Sequence, residues 1–246
     1  MTRLMTRAPL GVADVARLGT VLTVWAHPDD ETYLAGALLA SLTDAGNRTV
    51  CATATRGEAA DPHATAAERA ALAALRTVEL DAALGLLGVT EHHWLDHPDG
   101  GCAGLDAAGP VGRLVELLDQ VRPDTVVTFG PDGFTGHPDH QAVGRWVDQA
   151  LAAWDGTPLV LHPVQTEATL GRNRALDEDF GVYELGRPRV VAPGDVRVHL
   201  TLDGPLLDRK VAALVRQESQ TAGLIGAVGL DRFRRWVAVE LLAEPA

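Results

Sequence analysis

The sequence predicts an α/β protein: a Rossmann-like three-layer sandwich with a mostly parallel sheet and a C-terminal covering segment. Three observations lead to this fold class. Short apolar runs alternate with longer amphipathic segments, polar clusters follow the runs, and 46% of the 246 residues are hydrophobic. Apolar runs of this kind are typical of parallel strands that helices cover on both faces. We expect a single domain over residues 1–246, with a core of about 18–160 and C-terminal strands and a helix in about 161–246.

Four apolar runs predict strands in the first two thirds of the chain. The predicted strands are residues 21–26, 49–55, 92–95 and 125–129. The polar clusters that follow them read HPDDE, RGE, DHPDGG and GPDGFTGHPDH, in the same order. Because ligands bind beyond the carboxyl ends of parallel strands, we expect the chemistry of this protein at that edge of the sheet.

Apolar residues spaced three and four apart predict helices between and after these strands. The predicted helices are residues 32–42, 66–87, 111–121 and 205–219. Gly46 fits the end of the first helix, and Pro205 fits the first turn of the last. Residues 197–202 are expected to add an extended segment to the sheet.

Charge and composition exclude several classes of partner. The net charge is −12 and aromatic residues are 4%, so we expect neither nucleic acid nor an anionic membrane as a partner. Near the N-terminus, Asp14 and Arg17 follow Arg3 and Arg7 and interrupt any signal-peptide-like apolar stretch. With two cysteines and no membrane-span-length segment, we expect a cytoplasmic protein. The oligomeric state stays open, including a homo-oligomer.

Two of the polar clusters combine histidines with carboxylates at the start of a helix. Residues 27–31 read HPDDE and residues 137–140 read HPDH. Pro28 and Pro138 fit the first helical position, so side chains three residues apart can converge within one turn. Two imidazoles and one carboxylate suit a catalytic zinc ion that keeps positions open for water. Iron(II) competes as the metal because it accepts the same ligand types.

The same clusters resemble the motifs of the LmbE-like (PIG-L) family of zinc-dependent N-deacetylases. AHPDDE is intact at residues 26–31, and GHPDH is present at residues 136–140. Weaker likeness extends over about residues 20–220, including an R-x-x-E pattern before a Leu-Gly-Val turn and a K-x-x-A-L segment before Ser219-Gln220. The resemblance implies the Rossmann-like fold already predicted. It also implies N-acetylated glucosamine derivatives or related amides as substrates.

The resemblance also implies individual functions for residues in the two motifs. Three residues would ligate zinc: His27, Asp30 and His140. Asp29 would be the general base that takes a proton from the attacking water. His137 would stabilise the oxyanion and help to protonate the leaving amine, and Asp139 would orient His137.

Four further positions bear on the substrate. Asp99, after the third strand, is expected to accept hydrogen bonds from sugar hydroxyls. Arg76 either holds a polar part of the substrate or pairs with Glu79 on the helix surface. Thr135 stands where some family members have a tyrosine, and Gln217 stands where many have a histidine. Both departures are expected to affect substrate choice and not the metal site.

The sequence therefore predicts a metal-dependent hydrolase that removes an acetyl or other small acyl group from an amino-sugar-like metabolite. One alternative keeps the site and changes the substrate, giving an amidase for a thiol conjugate or an antibiotic-tailoring deacylase. The other is a non-catalytic module that binds a sugar or nucleotide. No G-x-G-x-x-G pattern follows the first strand, which disfavours a dinucleotide-binding module.

Overall fold

A twisted sheet of seven strands forms the centre of the part of the chain that the computed structural model describes, residues 8–246. Arg3 and Arg7 lie outside the described residues. The strands are β1 (Val21–Trp25), β2 (Thr49–Thr53), β3 (Glu91–Trp94), β4 (Thr125–Thr128), β5 (Leu159–Pro163), β6 (Val198–Thr201) and β7 (Val239–Ala243). Each of the four strands predicted from the sequence is present, with ends that differ by one or two residues.

Helices cover both faces of this sheet. They are α1 (Asp30–Asp44), α2 (Ala66–Leu87), α3 (Ala108–Val121), α4 (Gly133–Gly136), α5 (Pro138–Ala153), α6 (Glu167–Asp179), α7 (Gly204–Arg216), α8 (Glu218–Val228) and α9 (Leu230–Trp236). Helices α1, α2 and α7 pack together, and α3 packs on α5. Within residues 8–246, none of the helices has the length and apolar character that crossing a membrane requires.

The strand order is β3-β2-β1-β4-β5-β7-β6. Strands β1 to β5 run parallel, and β7 runs antiparallel to both β5 and β6. This confirms the predicted mostly parallel α/β fold. The chain proceeds from β1 to β2 on one side and later returns to place β4 on the other side. The carboxyl ends of β1 and β4 therefore flank the switch point at which such sheets bind ligands.

The central strands are buried on both faces, which explains their continuous apolar sequences. Trp25, at the end of β1, packs edge-on against Phe129, with ring centroids 5.2 Å apart. Ala26 separates Trp25 from the polar cluster after β1, and Phe129 directly precedes the polar cluster after β4. The apolar core thus fixes the two strand ends from which the candidate site is built.

The two His-Pro-Asp clusters begin their helices differently. Pro138 is in the first turn of α5, as predicted, and the His137 side chain caps that helix. In contrast, α1 begins at Asp30, two residues after Pro28. The prediction that Pro28 starts the helix is wrong because Asp29 adopts a left-handed φ of 114° and separates Pro28 from the helix.

The C-terminal third contains more regular structure than the sequence pattern indicates. The predicted helix 205–219 ends earlier, at Arg216, and α8 and α9 follow it. Strand β7 was not predicted, although it joins β5 to β6 in the sheet. The sequence of β7 contains Glu240 among apolar residues. Because of this carboxylate, the segment lacks the continuous apolar run by which the other strands were predicted.

That carboxylate belongs to a buried ion pair that ties the C-terminal third to α1. Lys210 Nζ lies 2.8 Å from Glu240 Oε1, and the two side chains are 0% and 1% exposed. Lys210 Nζ also donates to the Tyr33 carbonyl at 2.8 Å. Glu240 accepts the Ala37 and Leu38 N–H groups at 2.7 and 2.9 Å. The pair thus fixes α7 and β7 against the helix that follows the first His-Pro-Asp cluster.

We expect Lys210→Met to lower the free energy of unfolding by about 3–5 kcal/mol, because Glu240 would then be a buried charge without a counter-ion. Urea denaturation of purified protein measures the change. Adding Glu240→Gln to Lys210→Met should recover part of the loss. Arg113→Met is the matched control, since Arg113 forms an exposed pair with Glu116 and should cost less than about 1 kcal/mol. An equal loss of unfolding free energy in Lys210→Met and Arg113→Met would contradict this account.

Candidate active site

The loops after β1 and β4 bring His27, Asp30 and His140 together at the switch point. His27 Nδ1 lies 3.2 Å from His140 Nε2 and 3.6 Å from Asp30 Oδ2, and His140 Nε2 lies 3.4 Å from Asp30 Oδ1. Tetrahedral zinc with bonds of about 2.0–2.2 Å holds its ligand atoms roughly 3.3–3.6 Å apart. The three side chains are only 8–12% exposed. Their spacing and chemistry fit a divalent cation.

His140 is held in the form that a metal ligand requires. Its Nδ1 lies 2.9 Å from the Gly133 carbonyl, which can only accept, so the proton belongs on Nδ1 and the Nε2 lone pair faces His27 and Asp30. Phe129 stacks on the imidazole at 4.1 Å. Burial lowers the pKa of His140 to about 4, against the opposing charge of Asp30, so the ring is neutral at neutral pH.

His27 is oriented from its other edge by two carboxylates. Its Nε2 lies 3.1 Å from Asp99 Oδ1 and 3.5 Å from Asp139 Oδ2. Since carboxylates accept, the Nε2 proton points to them and Nδ1 faces His140. Burial alone would lower the pKa of His27, but Asp139, Asp99 and the charge of Asp30 outweigh it and raise this pKa to about 10. Such a surplus of negative charge around an imidazole favours an added cation.

Asp139 contacts different groups from those that the sequence suggested. Its Oδ2 accepts the Gly100 N–H at 2.8 Å and its Oδ1 accepts the Cys102 N–H at 3.0 Å. The structure shows no hydrogen bond from the Asp139 carboxylate to His137, which it was expected to orient. Only the Asp139 backbone N–H meets His137, donating to its Nδ1 at 3.2 Å. The first turn of α5 directs this carboxylate toward the loop after β3 and toward His27.

Asp99 is likewise occupied by contacts within the protein. Besides its contact with His27, its Oδ2 accepts the Ala59 N–H at 2.6 Å. Burial alone would raise the pKa of Asp99, but His27 and the Ala59 N–H lower it to about 2. The geometry therefore supports Asp99 as a residue that orients His27. A sugar hydroxyl would compete with that contact.

Two groups of residues around His27 have the spacing of metal ligands, and the contacts described above distinguish them. One group contains His27, His137 and His140, and the other contains His27, Asp99 and Asp139. In the second group, all four carboxylate oxygens of Asp99 and Asp139 already accept backbone N–H groups or lie at His27 Nε2. The Nδ1 side of His27 is consequently the side that can receive a cation, with Asp99 and Asp139 behind the ring.

Asp29 lies beside the three candidate ligands in a strained backbone conformation. A φ of 114° is rare for a residue other than glycine and is typical of functional sites. The Asp29 N–H donates to Glu31 Oε2 at 3.0 Å, and Asp29 Oδ2 lies 3.4 Å from Arg76 Nη2. Burial raises the pKa of Asp29 to about 8, although Arg76 opposes the shift. Asp29 is thus a carboxylate with a raised pKa beside the candidate ligands.

Arg76 is buried behind Asp29, with 4% of the residue exposed. Its Nη1 donates to the Gly57 carbonyl at 2.9 Å, and its Nη2 donates to the backbone carbonyl before Asp29. The predicted surface pair with Glu79 is wrong, because Glu79 accepts the Ser219 N–H at 2.8 Å instead. These contacts engage both Nη atoms of Arg76, while its Nε is buried without a hydrogen-bond partner among the described residues. The structure therefore indicates that Arg76 supports Asp29.

His137 stands at the open side of the group. Its ring centroid is 4.8 Å from that of His27 and 4.9 Å from that of His140. Because Nδ1 accepts the Asp139 N–H, the neutral ring carries its proton on Nε2 and can donate from that atom. Burial lowers the pKa of His137, and the charge of His27 adds to the effect.

Sequence reasoning gave no function to Glu31, although it belongs to the first motif. Glu31 is fully buried, and its Oε1 accepts from Gln217 Nε2 at 2.8 Å and from the Thr32 hydroxyl. Burial raises its pKa. Through its bond to the Asp29 N–H, Glu31 supports the strained residue. Gln217, expected to influence substrate choice, is itself only 1% exposed and contacts Glu31.

A cavity of about 170 Å³ adjoins the site on the side of Asp30, Thr135 and His140. Its walls come from α1, β5, α6, α9 and β7, most of which lie outside the sequence motifs. Its aromatic lining residues are Tyr33, Phe134, Tyr183 and Trp236. Thr135 Oγ1 lies 3.3 Å from His140 Nδ1, so the residue that replaces the expected tyrosine contacts a candidate ligand.

The chain is similar to known proteins in both sequence and fold. Residues 22–151 match the PIG-L family, described as GlcNAc-PI de-N-acetylase. A relative from Kineococcus radiotolerans, named 1D-myo-inositol 2-acetamido-2-deoxy-alpha-D-glucopyranoside deacetylase, is 38% identical over 61% of this chain and 50% of its own length. A relative of the same name from Acidothermus cellulolyticus is 31% identical over 82% of this chain and 80% of its own.

Among solved structures, N,N'-diacetylchitobiose deacetylase from Pyrococcus horikoshii shares the fold, with a TM-score of 0.58 and 20% sequence identity. The likeness covers 92% of this chain and 82% of that protein. The chain spans about half the length of the first curated relatives that it matches. With more than half of its residues matched by the family and a relative matched over most of both lengths, the chain belongs to the PIG-L family.

We expect the purified protein to bind one divalent cation per chain, and His140→Ala to weaken zinc binding by at least about 100-fold, because zinc would lose one of its three side-chain ligands. Competition with a chromogenic chelator measures the affinity. His63→Ala is the control, since His63 is exposed and distant in sequence from both motifs. Equal zinc affinity in the wild type and His140→Ala would contradict the ligand assignment.

Proposed function

We propose that this chain is a zinc-dependent N-deacetylase that hydrolyses the amide of a small N-acetylated amino-sugar derivative. Iron(II) is the alternative metal, and another small acyl group is the alternative to acetyl. The observation that carries the proposal is the 3.2–3.6 Å convergence of His27, Asp30 and His140 beside a carboxylate, Asp29, that is not in the ligand set. The names of the relatives support the amino sugar. The cytoplasm is the compartment that we propose.

The residues divide into a binding group and a proton-transfer group. His27, Asp30 and His140 would hold the metal, which supplies a Lewis acid for the amide carbonyl and lowers the pKa of water. Asp29 accepts the proton of the attacking water, since its raised pKa makes it a stronger base than an ordinary carboxylate. Asp29, with its strained φ of 114°, directly precedes Asp30 at the start of α1 and is not assigned to the proposed ligand set.

His137 lies on the open side of the three candidate ligands, where it can act on the carbonyl oxygen of the amide. Its Nε2 proton, fixed there by the Asp139 N–H on Nδ1, can donate to the oxygen on which negative charge develops. The proton that Asp29 has taken from water can then pass to the departing amine nitrogen near His137, so that the nitrogen does not leave as an unstable anion. Asp139 contributes through its backbone N–H to His137 and through its carboxylate to His27.

Asp29→Asn should lower kcat for acetate release by roughly 10²–10⁴-fold, because an amide cannot accept the proton of water. Zinc binding should persist, since Asp29 is not in the proposed ligand set. Acetate release from N-acetylglucosaminyl-inositol by zinc-loaded protein measures the effect, with metal content determined on the same samples.

Asp81→Asn, an exposed change on α2, serves as the matched control and should retain wild-type kcat. If Asp29→Asn kept both its zinc and near wild-type turnover, Asp29 would not be the base. In parallel, offering the acyl sugar and an acyl thiol conjugate together distinguishes the alternative substrate class, because the substrate with the larger kcat/KM dominates product formation.

A further inference from the structure

The cavity beside Asp30 and His140 has an uneven charge distribution. Four of its lining residues carry charge at neutral pH: Asp30, Arg172, Arg235 and Glu240. Asp30 faces His140, and Glu240 is paired with Lys210. Both carboxylates are therefore engaged by the protein. The two arginines remain as the charges that a molecule in the cavity would meet.

Neither arginine has a carboxylate partner within the described part of the chain, although acidic side chains are close along the same helices. Asp179, on α6, lies 3.4 Å from Arg232, and Arg234, on α9, pairs with Asp208. Asp177, also on α6, accepts the Trp236 indole N–H at 3.0 Å. In a chain with a net charge of −12, two adjacent helices thus present cationic side chains to one cavity.

The remaining lining of the cavity is apolar or neutral. Tyr33, Tyr183 and Trp236 supply aromatic surface, while Gln165 and Asn173 supply neutral hydrogen-bonding groups. Aromatic side chains pack against the apolar faces of ring-shaped ligands, and guanidinium groups bind phosphate and carboxylate through paired hydrogen bonds. The combination suits a ring compound that carries an anionic group.

We propose that the substrate of this enzyme carries a phosphate or carboxylate, which Arg172 and Arg235 bind while the amide lies at His27, Asp30 and His140. This inference rests on the proposed function, since it places the scissile amide at the candidate metal site. It adds a determinant of specificity from α6 and α9, which lie outside the two His-Pro-Asp motifs.

Three probes test the proposal with the zinc-loaded full chain: N-acetylglucosamine, N-acetylglucosamine 1-phosphate and N-acetylmuramic acid. The first is neutral, the second carries a phosphate and the third carries a carboxylate. We expect kcat/KM for at least one anionic probe to exceed that of the neutral probe by roughly 10–100-fold, since each charged hydrogen-bonding partner contributes about one order of magnitude. Calorimetry of the same probes gives a binding preference that does not depend on turnover.

In the Arg172→Gln/Arg235→Gln variant, the ratio of anionic to neutral kcat/KM should fall to about 1, mainly through KM for the anionic probe. Arg174→Gln is the matched control, because Arg174 is exposed on α6 and does not line the cavity. It should keep the wild-type preference. Thermal unfolding of each variant confirms that it is folded.

The outcomes separate this inference from the proposed function. Acetate release with equal kcat/KM for all three probes, or a preference that survives in Arg172→Gln/Arg235→Gln, overturns the anionic substrate and retains the deacetylase. No acetate release, combined with tighter calorimetric binding of an anionic probe that depends on the arginines, retains the anion site and overturns the deacetylase. Neither release nor preferential binding overturns both.

Discussion

The imidazole of His27 is the contact on which the rest of the site depends. Its Nε2 faces Asp99 and Asp139, and its Nδ1 faces Asp30 and His140. The ring therefore lies between two groups of side chains. Asp99 and Asp139, which accept backbone N–H groups, are on one side, and the candidate metal ligands Asp30 and His140 are on the other. Without the two carboxylates behind it, the ring could rotate, and Nδ1 would no longer face Asp30 and His140.

The strain at Asp29 is compatible with a stable fold because its neighbours are fixed from several directions. Glu31 accepts the Asp29 N–H, and Arg76 lies against its carboxylate. Glu31 is in the first turn of α1. Further along α1, the Lys210–Glu240 pair holds the helix backbone against α7 and β7. The buried charges of the C-terminal third therefore maintain the position of a helix whose first residues belong to the site. That helix cannot shift without breaking its backbone hydrogen bonds to the buried ion pair.

The fold and the convergence of His27, Asp30 and His140 could be predicted from sequence because their determinants are local. The central strands β1, β2 and β4 are largely apolar runs. The HPDDE cluster follows β1 closely and HPDH is reached from β4 through the short α4, so both lie at the same edge of the sheet. The contacts of Asp139 and Arg76 could not be predicted in this way, since their partners are backbone groups of other loops. Likewise, nothing local in the sequence places Arg172 and Arg235 beside His140.

An anomalous difference map from crystals of the zinc-loaded protein, collected on both sides of the zinc absorption edge, tests the central claim most directly. The account predicts one peak within about 2.0–2.2 Å of His27 Nδ1, His140 Nε2 and an Asp30 oxygen. A peak bound instead to His27 Nε2, Asp99 and Asp139 would contradict it, because those two carboxylates would then be metal ligands and not the groups that orient His27.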